Sequence, residues 1–208
     1  DLRDARLAAK ACGIELREVE VPVPTAEDLE EVIRIIEMPH KAQVEIGWPC
    51  LLLARRMKAD GFKVTFSGEG SDELWASYGF AYHALAAGAD FGQYRKDLFL
   101  SQERKNFARC NKIFMSQGIE CRLPFLNRKL VEHALSLSRE VVAEGKSRPK
   151  AVLQEAMRGL IPDEIVDRPK VAFQDGMGLK AKYEEAVSDP KRFYTGSCAR
   201  MYGKGVAS

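Results

Sequence analysis

The stretch that decides the fold is residues 67–74, which read Ser-Gly-Glu-Gly-Ser-Asp-Glu-Leu directly after the apolar triplet Val64-Thr65-Phe66. Its glycines can take positive φ and bring backbone N–H groups close to a phosphate. Its three carboxylates would repel a bare phosphate, and a divalent cation between carboxylate and phosphate removes that conflict. An acidic first helical turn, which the helix dipole favours, would better explain an isolated Gly-Glu-Gly. The full octamer at a strand end favours a loop for a metal–nucleotide or metal–pyrophosphate complex.

Composition places the chain among ordinary globular proteins. It has 208 residues, of which 46% are hydrophobic and 30% charged, and a net charge of +2. This near-neutral balance gives no argument for nucleic-acid or membrane binding. The five cysteines are widely spaced, without a Cys-x-x-Cys pair, so a zinc site is not indicated. Their odd number indicates reduced thiols and a cytoplasmic location.

The first 74 residues alternate between helical and strand patterns. Periodicity predicts an N-terminal helix, a helix over 26–37 capped by Thr25, and a helix over 50–59. Alternation and apolar runs predict strands at 16–22 and 62–66, the second one buried. A loop carrying Pro39, Gly47 and Pro49 is expected between the helices. The order predicts an α/β fold with both strands parallel in one sheet.

After residue 74 the strand patterns stop, and residues beyond 90 are expected to be almost wholly helical. Helical periodicity covers 74–87, 93–116 and 149–158, and Asn127 can cap another helix. The predicted division is an α/β part at 1–90, a helical part at 91–185, and a C-terminal tail at 186–208. The tail is expected to be loose from residue 196 because periodicity is lost there.

Two further groups of residues suit an anionic ligand. Lys170 follows Pro169 in a glycine-bearing segment that ends at Gly178, and a lysine on such a loop can place its charge on a phosphate. An exposed lysine in a surface turn explains the pattern equally well. Arg109 and Arg122 could orient a carboxylate or phosphate by bidentate bonds. Structural ion pairs, for example with a neighbouring glutamate, are the alternative, and both interpretations stay open.

Four motifs in order make the chain resemble a known family. They are Ser-Gly-Glu-Gly-Ser-Asp-Glu-Leu, Ala-Arg-Cys-Asn-Lys, Gly-Ile-Glu-Cys-Arg-Leu-Pro-Phe-Leu and Arg-Pro-Lys-Val-Ala-Phe-Gln-Asp-Gly-Met-Gly. Together they resemble the synthetase domain of glutamine-dependent asparagine synthetases and their β-lactam-synthetase relatives, from Asp1 to about Tyr183. The resemblance implies a parallel-sheet, adenine-nucleotide α-hydrolase-like (ATP-pyrophosphatase) domain with a helical C-terminal part, here spanning residues 1–185.

The resemblance also implies a reaction. ATP adenylates the side-chain carboxylate of aspartate, pyrophosphate leaves, and ammonia attacks the acyl-adenylate. Asp72 is similar to the ligand of the Mg²⁺–pyrophosphate complex, Lys170 to the lysine that stabilises adenylation, and Glu69 to the acid that orients or deprotonates the nitrogen nucleophile. The expected loop around ATP is Ser67, Gly68 and Gly70. The expected substrate contacts are Arg109, Arg122 and Asp175.

Several departures from the family pattern limit these implications. The family's Ser-Gly-Gly-x-Asp-Ser phosphate loop does not occur in these residues, and we expect it some tens of residues before Asp1. Residues 76–78 read Ala-Ser-Tyr in place of Gly-Gly-Tyr. A glutaminase domain or subunit is the expected ammonia source, and a homodimer is an open expectation. The chain by itself should turn over poorly. A non-catalytic or split relic acting as a binding module, or a related amide or β-lactam synthetase, are the alternatives.

Overall fold

The computed structural model describes residues 2–142, 150–169, 171 and 178–203, without the side chains of 79–82. Its elements before residue 103 are α1 (Leu2–Cys12), α2 (Ala26–Ile36), α3 (Lys41–Ala59), β1 (Val64–Phe66), α4 (Ser71–Leu74), α5 (Gly79–Ala86) and α6 (Phe91–Ser101). Those after it are a π-helical turn (Glu103–Phe107), α7 (Ala108–Ser116), β2 (Glu120–Arg122), a 3₁₀ turn (Pro124–Leu126), α8 (Arg128–Ser136), α9 (Arg139–Val142), α10 (Ala151–Met157), α11 (Asp163–Val166), α12 (Leu179–Ala186) and α13 (Pro190–Tyr202).

The described residues form two compact units that interleave along the chain. The motif unit contains residues 2–17, 67–103, 123–142 and 150–169. The sheet unit contains residues 18–66, 104–122, 171 and 178–203. Among the residues described, no helix combines the length and the apolar composition needed to cross a membrane.

The sheet of the sheet unit is parallel, as predicted, but one of its strands is not the predicted one. β1 pairs with β2, and Thr65 lies opposite Cys121. The prediction of a strand at 16–22 is wrong, because this segment has no ladder partner among the described residues. Its carbonyls at Val21 and Pro22 instead accept hydrogen bonds from the Lys182 ammonium and the Trp48 indole. The expectation of a helical chain after residue 90 is therefore wrong at β2.

β1 is also less buried than its apolar sequence predicted. Thr65 is buried, whereas Val64 is 37% exposed and Phe66 is 68% exposed. The alternation follows the period of two along a strand, so both apolar side chains lie on the same, exposed face.

The core of the sheet unit forms where α2 packs on α3, α7 and α13. The buried stripe of α2 is Leu29, Val32, Ile33 and Ile36, all fully buried at helical spacing. Thr25 starts this helix as predicted, because its hydroxyl accepts the Asp28 N–H while the Asp28 carboxylate accepts the Thr25 N–H.

α3 begins nine residues earlier than predicted and runs through Gly47 and Pro49. Gly47 serves helix packing, not a turn, since a Cβ there would lie 2.6 Å from Val32 Cγ1. Pro49 has no N–H to donate to the carbonyl of Glu45, four residues earlier. The Tyr183 hydroxyl donates to that carbonyl instead, so a residue distant in sequence makes the helical proline tolerable.

The expectation of a loose chain from residue 196 is wrong for residues 196–202, because they lie in α13, which runs from Pro190 to Tyr202. Asp189 accepts the Arg192 N–H and Pro190 occupies the first turn, which are both helix-start signals. The helix is held by burial of Tyr194, Ser197 and Cys198 and by the Tyr202 hydroxyl, which donates to the Arg34 carbonyl at 2.8 Å.

The core of the motif unit surrounds the residues that follow the glycine loop. Leu74, Trp75 and Ala134 are buried together and contact side chains of α6, α8 and α10. Asn127 caps α8 as predicted, accepting the N–H groups of Lys129 and Leu130 at 3.1 and 3.4 Å. This core fixes α4, and with it the second half of the octamer at 67–74.

Candidate functional site

The backbone of the glycine loop is closed on one side and open on the other. Gly70 has φ 94° and precedes the first residue of α4. A Cβ at Gly70 would lie 2.9 Å from Leu126 Cδ2 and 3.3 Å from Phe125 Cβ, so the loop packs against the 3₁₀ turn only as glycine. Gly68 is exposed, and a Cβ there would meet no atom within 4 Å. The open side leaves room for a ligand next to the backbone.

The three carboxylates of the motif have different environments. Glu73 is 1% exposed and accepts the Tyr78 hydroxyl at 2.8 Å. Burial, followed by the nearby Glu73 charge, raises the pKa of Tyr78 far above its usual value. Tyr78 therefore stays protonated and donates to Glu73, which makes Glu73 a structural group. Glu69 and Asp72 are only half-buried and face a region that solvent reaches.

Asp72 is the centre of a polar cluster. Its Oδ1 accepts the Ser77 hydroxyl at 2.6 Å and lies 2.5 Å from Lys150 Nζ. The same ammonium donates to Ser71 Oγ at 2.9 Å. The Lys150 side chain is 21% exposed and that of Asp72 is 26% exposed. A carboxylate and an ammonium are thus held side by side, both within reach of a solvent-borne ligand.

Lys150 was not predicted as a site residue. Its backbone is left-handed, with φ 59°, and its N–H donates to the Trp75 carbonyl at 3.2 Å. The sequence placed it at the start of a helix, where the helix dipole disfavours a cation. A lysine at this unfavourable position was the one sequence signal that Lys150 is kept there by a contact with a distant residue. Its partner Asp72 lies 78 residues earlier, and local patterns carry no information about such a pairing.

Glu69 and Ser67 stand at the entrance of the loop. The Glu69 N–H donates to Ser67 Oγ at 3.4 Å, and both residues are half-buried. The serine hydroxyl thereby orders the turn that carries Glu69. Five predicted residues, Ser67, Gly68, Glu69, Gly70 and Asp72, are consequently held in one short segment of the motif unit.

Two of the predicted site residues lie outside the described residues, namely Lys170 and Asp175. Arg109 and Arg122 belong to the sheet unit. Arg109 is 2% exposed, and its Nη1 donates to Gln43 Oε1 at 2.5 Å and Asn106 Oδ1 at 3.3 Å. Arg122 pairs with Glu120 at 2.9 Å, one of the structural pairings that the sequence left open. The Arg122 hydrogen bond and charge lower the pKa of Glu120.

The oxygen donors around Asp72 fit a magnesium ion that is held mainly by the phosphates of a bound nucleotide and by water. Within the described ranges, no group of three or more His, Cys, Asp or Glu side chains could hold a metal ion. Mg²⁺ in nucleotide sites keeps several waters and takes one or two protein carboxylates together with phosphate oxygens. One half-buried aspartate beside an open glycine loop is the donor set that such a complex needs.

Comparison with known proteins shows which family the chain resembles in sequence. The asparagine synthase family matches residues 1–109 and 93–190 of this chain. "Asparagine synthetase B [glutamine-hydrolyzing]" of Escherichia coli strain K12 is 29% identical over 91% of the chain and 35% of its own length. "Asparagine synthetase [glutamine-hydrolyzing] 1" of Saccharomyces cerevisiae is 30% identical over 91% of the chain and 36% of its own length. A "probable asparagine synthetase [glutamine-hydrolyzing]" of Schizosaccharomyces pombe is 32% identical over 77% of the chain.

The chain thus spans about a third of the length of the curated relatives that it matches. Both family matches together extend over most of the chain and include the glycine loop, Asp72 and Lys150. The chain belongs to the asparagine synthase family.

Proposed function

We propose that the protein carrying this chain is an ATP-dependent ligase that makes asparagine. It adenylates the side-chain carboxylate of aspartate, releases pyrophosphate and transfers ammonia to the acyl-adenylate. Family membership supports this proposal, and the observation that carries it is the Asp72–Lys150 pair beside the open loop at Gly68. A carboxylate for a metal and an ammonium for a phosphate are both present where pyrophosphate would leave.

Asp72 is the proposed protein ligand of a Mg²⁺ ion that accompanies ATP. The ion would neutralise charge on the departing pyrophosphate. Ser77 fixes the orientation of Asp72 through its 2.6 Å hydrogen bond, so one carboxylate oxygen is held while the group stays partly exposed. Lys150 is the proposed second cation at this position, since its ammonium already bridges Asp72 and Ser71. We further propose that Ser67, Gly68 and Gly70 line the nucleotide.

Glu69 is the proposed acid that orients or deprotonates the incoming ammonia. Glu69 is half-buried and lies in the loop just before α4, three residues before Asp72. A base next to the reacting carbonyl is needed because the attacking ammonia must lose a proton as the amide forms. Lys170 keeps its proposed role in adenylation, and Arg109, Arg122 and Asp175 keep theirs as substrate contacts.

The nitrogen source is proposed from the relatives. Their names describe glutamine-hydrolyzing enzymes, so we propose that ammonia reaches this site from a glutaminase domain or subunit. A cytoplasmic location and a homodimer stay proposals of the same kind.

The experiment is an assay of pyrophosphate release and asparagine formation by the protein expressed at the full length of its gene. We expect both products to depend on ATP, aspartate and ammonia. Glu69→Gln should reduce asparagine formation far more than pyrophosphate release, and Lys170→Ala should abolish both. Asp97→Asn is the matched control, because Asp97 is exposed and hydrogen-bonded to Gln93 on α6.

Release of pyrophosphate with another amino-acid carboxylate but not with aspartate would shift the proposal to a related amide or β-lactam synthetase. A folded full-length protein that releases no pyrophosphate with any carboxylate would overturn the proposal in favour of a non-catalytic relic. Because the chain spans about a third of the length of its relatives, we expect these 208 residues by themselves to show little turnover.

A further inference from the structure

Two cysteine side chains of the sheet unit lie in direct contact. Cys110 Sγ on α7 and Cys121 Sγ on β2 are 3.3 Å apart. All five cysteines of the chain are reduced in the structure. A disulfide has an S–S bond of about 2.05 Å, so the two sulfur atoms need to approach by only about 1.3 Å to reach bonding distance.

The local fold explains why these thiols meet. Cys110 lies on the buried face of α7 together with Ile113 and Phe114, at helical spacing. Cys121 is the middle residue of β2, and its side chain points away from the face of Glu120 and Arg122 because side chains alternate along a strand.

The turn between α7 and β2 holds this arrangement. Gly118 has φ 74°, and its N–H donates to the Met115 carbonyl at 2.9 Å, while the Ile119 N–H donates to Phe114 at 3.0 Å. This pair of bonds is the Schellman motif, which stops the helix and reverses the chain. Ile119 is 1% exposed and anchors the returning strand. The two sulfur atoms are therefore held together by a compact helix–turn–strand segment.

We propose that Cys110 and Cys121 form a reversible dithiol–disulfide site that responds to small disulfides such as oxidised glutathione. Cys121 is partly exposed and Cys110 is 3% exposed, so Cys121 makes the first attack. Its thiolate attacks one sulfur of oxidised glutathione, forms a mixed disulfide and displaces one glutathione thiolate. The Cys110 thiolate then attacks the Cys121 sulfur and displaces the second glutathione. Two protein thiols are oxidised, one small disulfide is reduced to two thiols, and the two protein protons end on the released glutathiones.

The crosslink would fasten α7 to β2. These elements carry Arg109 and Arg122, each adjacent to one of the two cysteines. β2 is also the hydrogen-bonded partner of β1, through the register that places Cys121 opposite Thr65. Oxidation would thus add a covalent tie between the helix and the strand that bear both arginines, and reduction would remove that tie. Formation of the crosslink itself does not depend on the proposed synthetase activity.

The test exposes the native full-length protein to oxidised glutathione and follows intact mass and peptide maps. The expected product has lost two hydrogens per chain, carries a Cys110–Cys121 crosslink and returns to the starting mass with dithiothreitol. Cys110→Ser should stop at one glutathione on Cys121, because the resolving thiol is gone. Cys121→Ser should leave Cys110 unmodified. Cys12→Ser is the matched control, since Cys12 is exposed on α1 and its removal should leave the crosslink unchanged.

Peptide mapping of the oxidised wild-type protein tests the proposal even if a variant fails to fold. A wild-type protein that retains glutathione on Cys121 without forming the crosslink would overturn it. So would a crosslink that joins other cysteines, or a protein whose Cys110 and Cys121 stay reduced while Cys12 reacts.

Discussion

Two ion pairs lie in or beside the family motifs, and they differ in how far apart their residues are in the sequence and in how exposed their side chains are. Lys150 and Asp72 are 78 residues apart, and their side chains are 21% and 26% exposed. Arg122 and Glu120 are two residues apart on one strand, and their side chains are 55% and 58% exposed. The first pair exists because the fold brings distant elements together, and the second because a strand places alternate residues on one face. Convergence of distant charges distinguishes the candidate site from a solvated surface pair.

The largest effect on stability should come from Arg95, which holds the core beside the first pair. Arg95 is 1% exposed and donates to the carbonyls of Leu74, Ala134 and Leu137 at 2.9, 2.8 and 3.2 Å. Burial lowers the pKa of Arg95, yet a guanidinium remains charged in proteins. Arg95→Met should lower the free energy of unfolding by about 3 kcal/mol, because three buried carbonyls lose their donor.

Denaturant unfolding measures this effect. Arg128→Met is the matched control, since the Arg128 side chain is 90% exposed in a pair with Glu132 and should cost no more than about 0.5 kcal/mol. Equal effects of the two substitutions would show that the motif unit is not held through Arg95.

Double-mutant cycles test the difference between the two ion pairs directly. Lys150→Met and Asp72→Asn, singly and together, should give a coupling free energy of about 1–2 kcal/mol, because the pair is partly buried and charge-assisted. Arg122→Met and Glu120→Gln should give no measurable coupling. Unfolding free energies of all variants at the same salt concentration provide both values. A Lys150–Asp72 coupling that also vanishes would place the pair among ordinary surface contacts.

A smaller effect concerns Ala76, the second residue after α4. Ala76 has φ 51°, although it is not glycine, and it is 2% exposed against Val142. The left-handed conformation costs an L-residue roughly 1–2 kcal/mol, and loss of one buried methyl group offsets part of this. Ala76→Gly should therefore stabilise the protein by about 0.5 kcal/mol. The same substitution at Ala134, buried within α8, should destabilise it by about 1 kcal/mol or more. Thermal unfolding of both variants checks the opposite signs.

Two glutamates of the sheet unit should differ in how their contributions to stability depend on pH. Burial raises the pKa of Glu45 despite nearby Lys41, so this group contributes more stability when protonated. The wild-type free energy of unfolding should fall as pH rises through that raised pKa, and Glu45→Gln should be stabilising at pH 7 by up to about 1 kcal/mol. The gain should shrink at pH values below the ordinary carboxyl pKa.

Glu30 is the matched control with the opposite sign. The Ser197 hydrogen bond and the Arg200 charge lower its pKa, so its stabilising contribution is present at neutral pH and is lost as pH falls through the lowered value. Glu30→Gln should accordingly be destabilising at pH 7 and neutral in acid. Unfolding curves from pH 3 to pH 8 would contradict both assignments if the two variants changed in parallel.

Local chemistry made part of the fold predictable. Thr25 and Asn127 begin helices because each supplies a side-chain acceptor to N–H groups two or three residues later, within the same short segment. The apolar stripe of α2 was readable for the same reason. Gly47 and Pro49 were misinterpreted as a loop because their tolerance inside α3 depends on Val32 and Tyr183, which are distant in sequence.

The strands show the same limit. Residues 16–22 alternate as a strand should, but no ladder partner reaches them among the described residues, and β2 has only three residues, too few for a clear pattern. In the candidate site, glycines and carboxylates within one octamer were readable from the sequence. Lys150 was not, since its position next to Asp72 depends on packing of α10 against the core beneath α4.

The most direct test of the central claim measures aspartate-dependent pyrophosphate release by the full-length protein as a function of Mg²⁺ concentration. If Asp72 holds the metal–pyrophosphate complex, Asp72→Asn should lower the rate by about 100-fold or more, which matches the loss of one transition-state electrostatic group. It should also raise the Mg²⁺ concentration needed for half-maximal rate, while Asp97→Asn leaves both quantities unchanged. An Asp72→Asn protein that keeps the wild-type rate and Mg²⁺ dependence would contradict the assignment of the site.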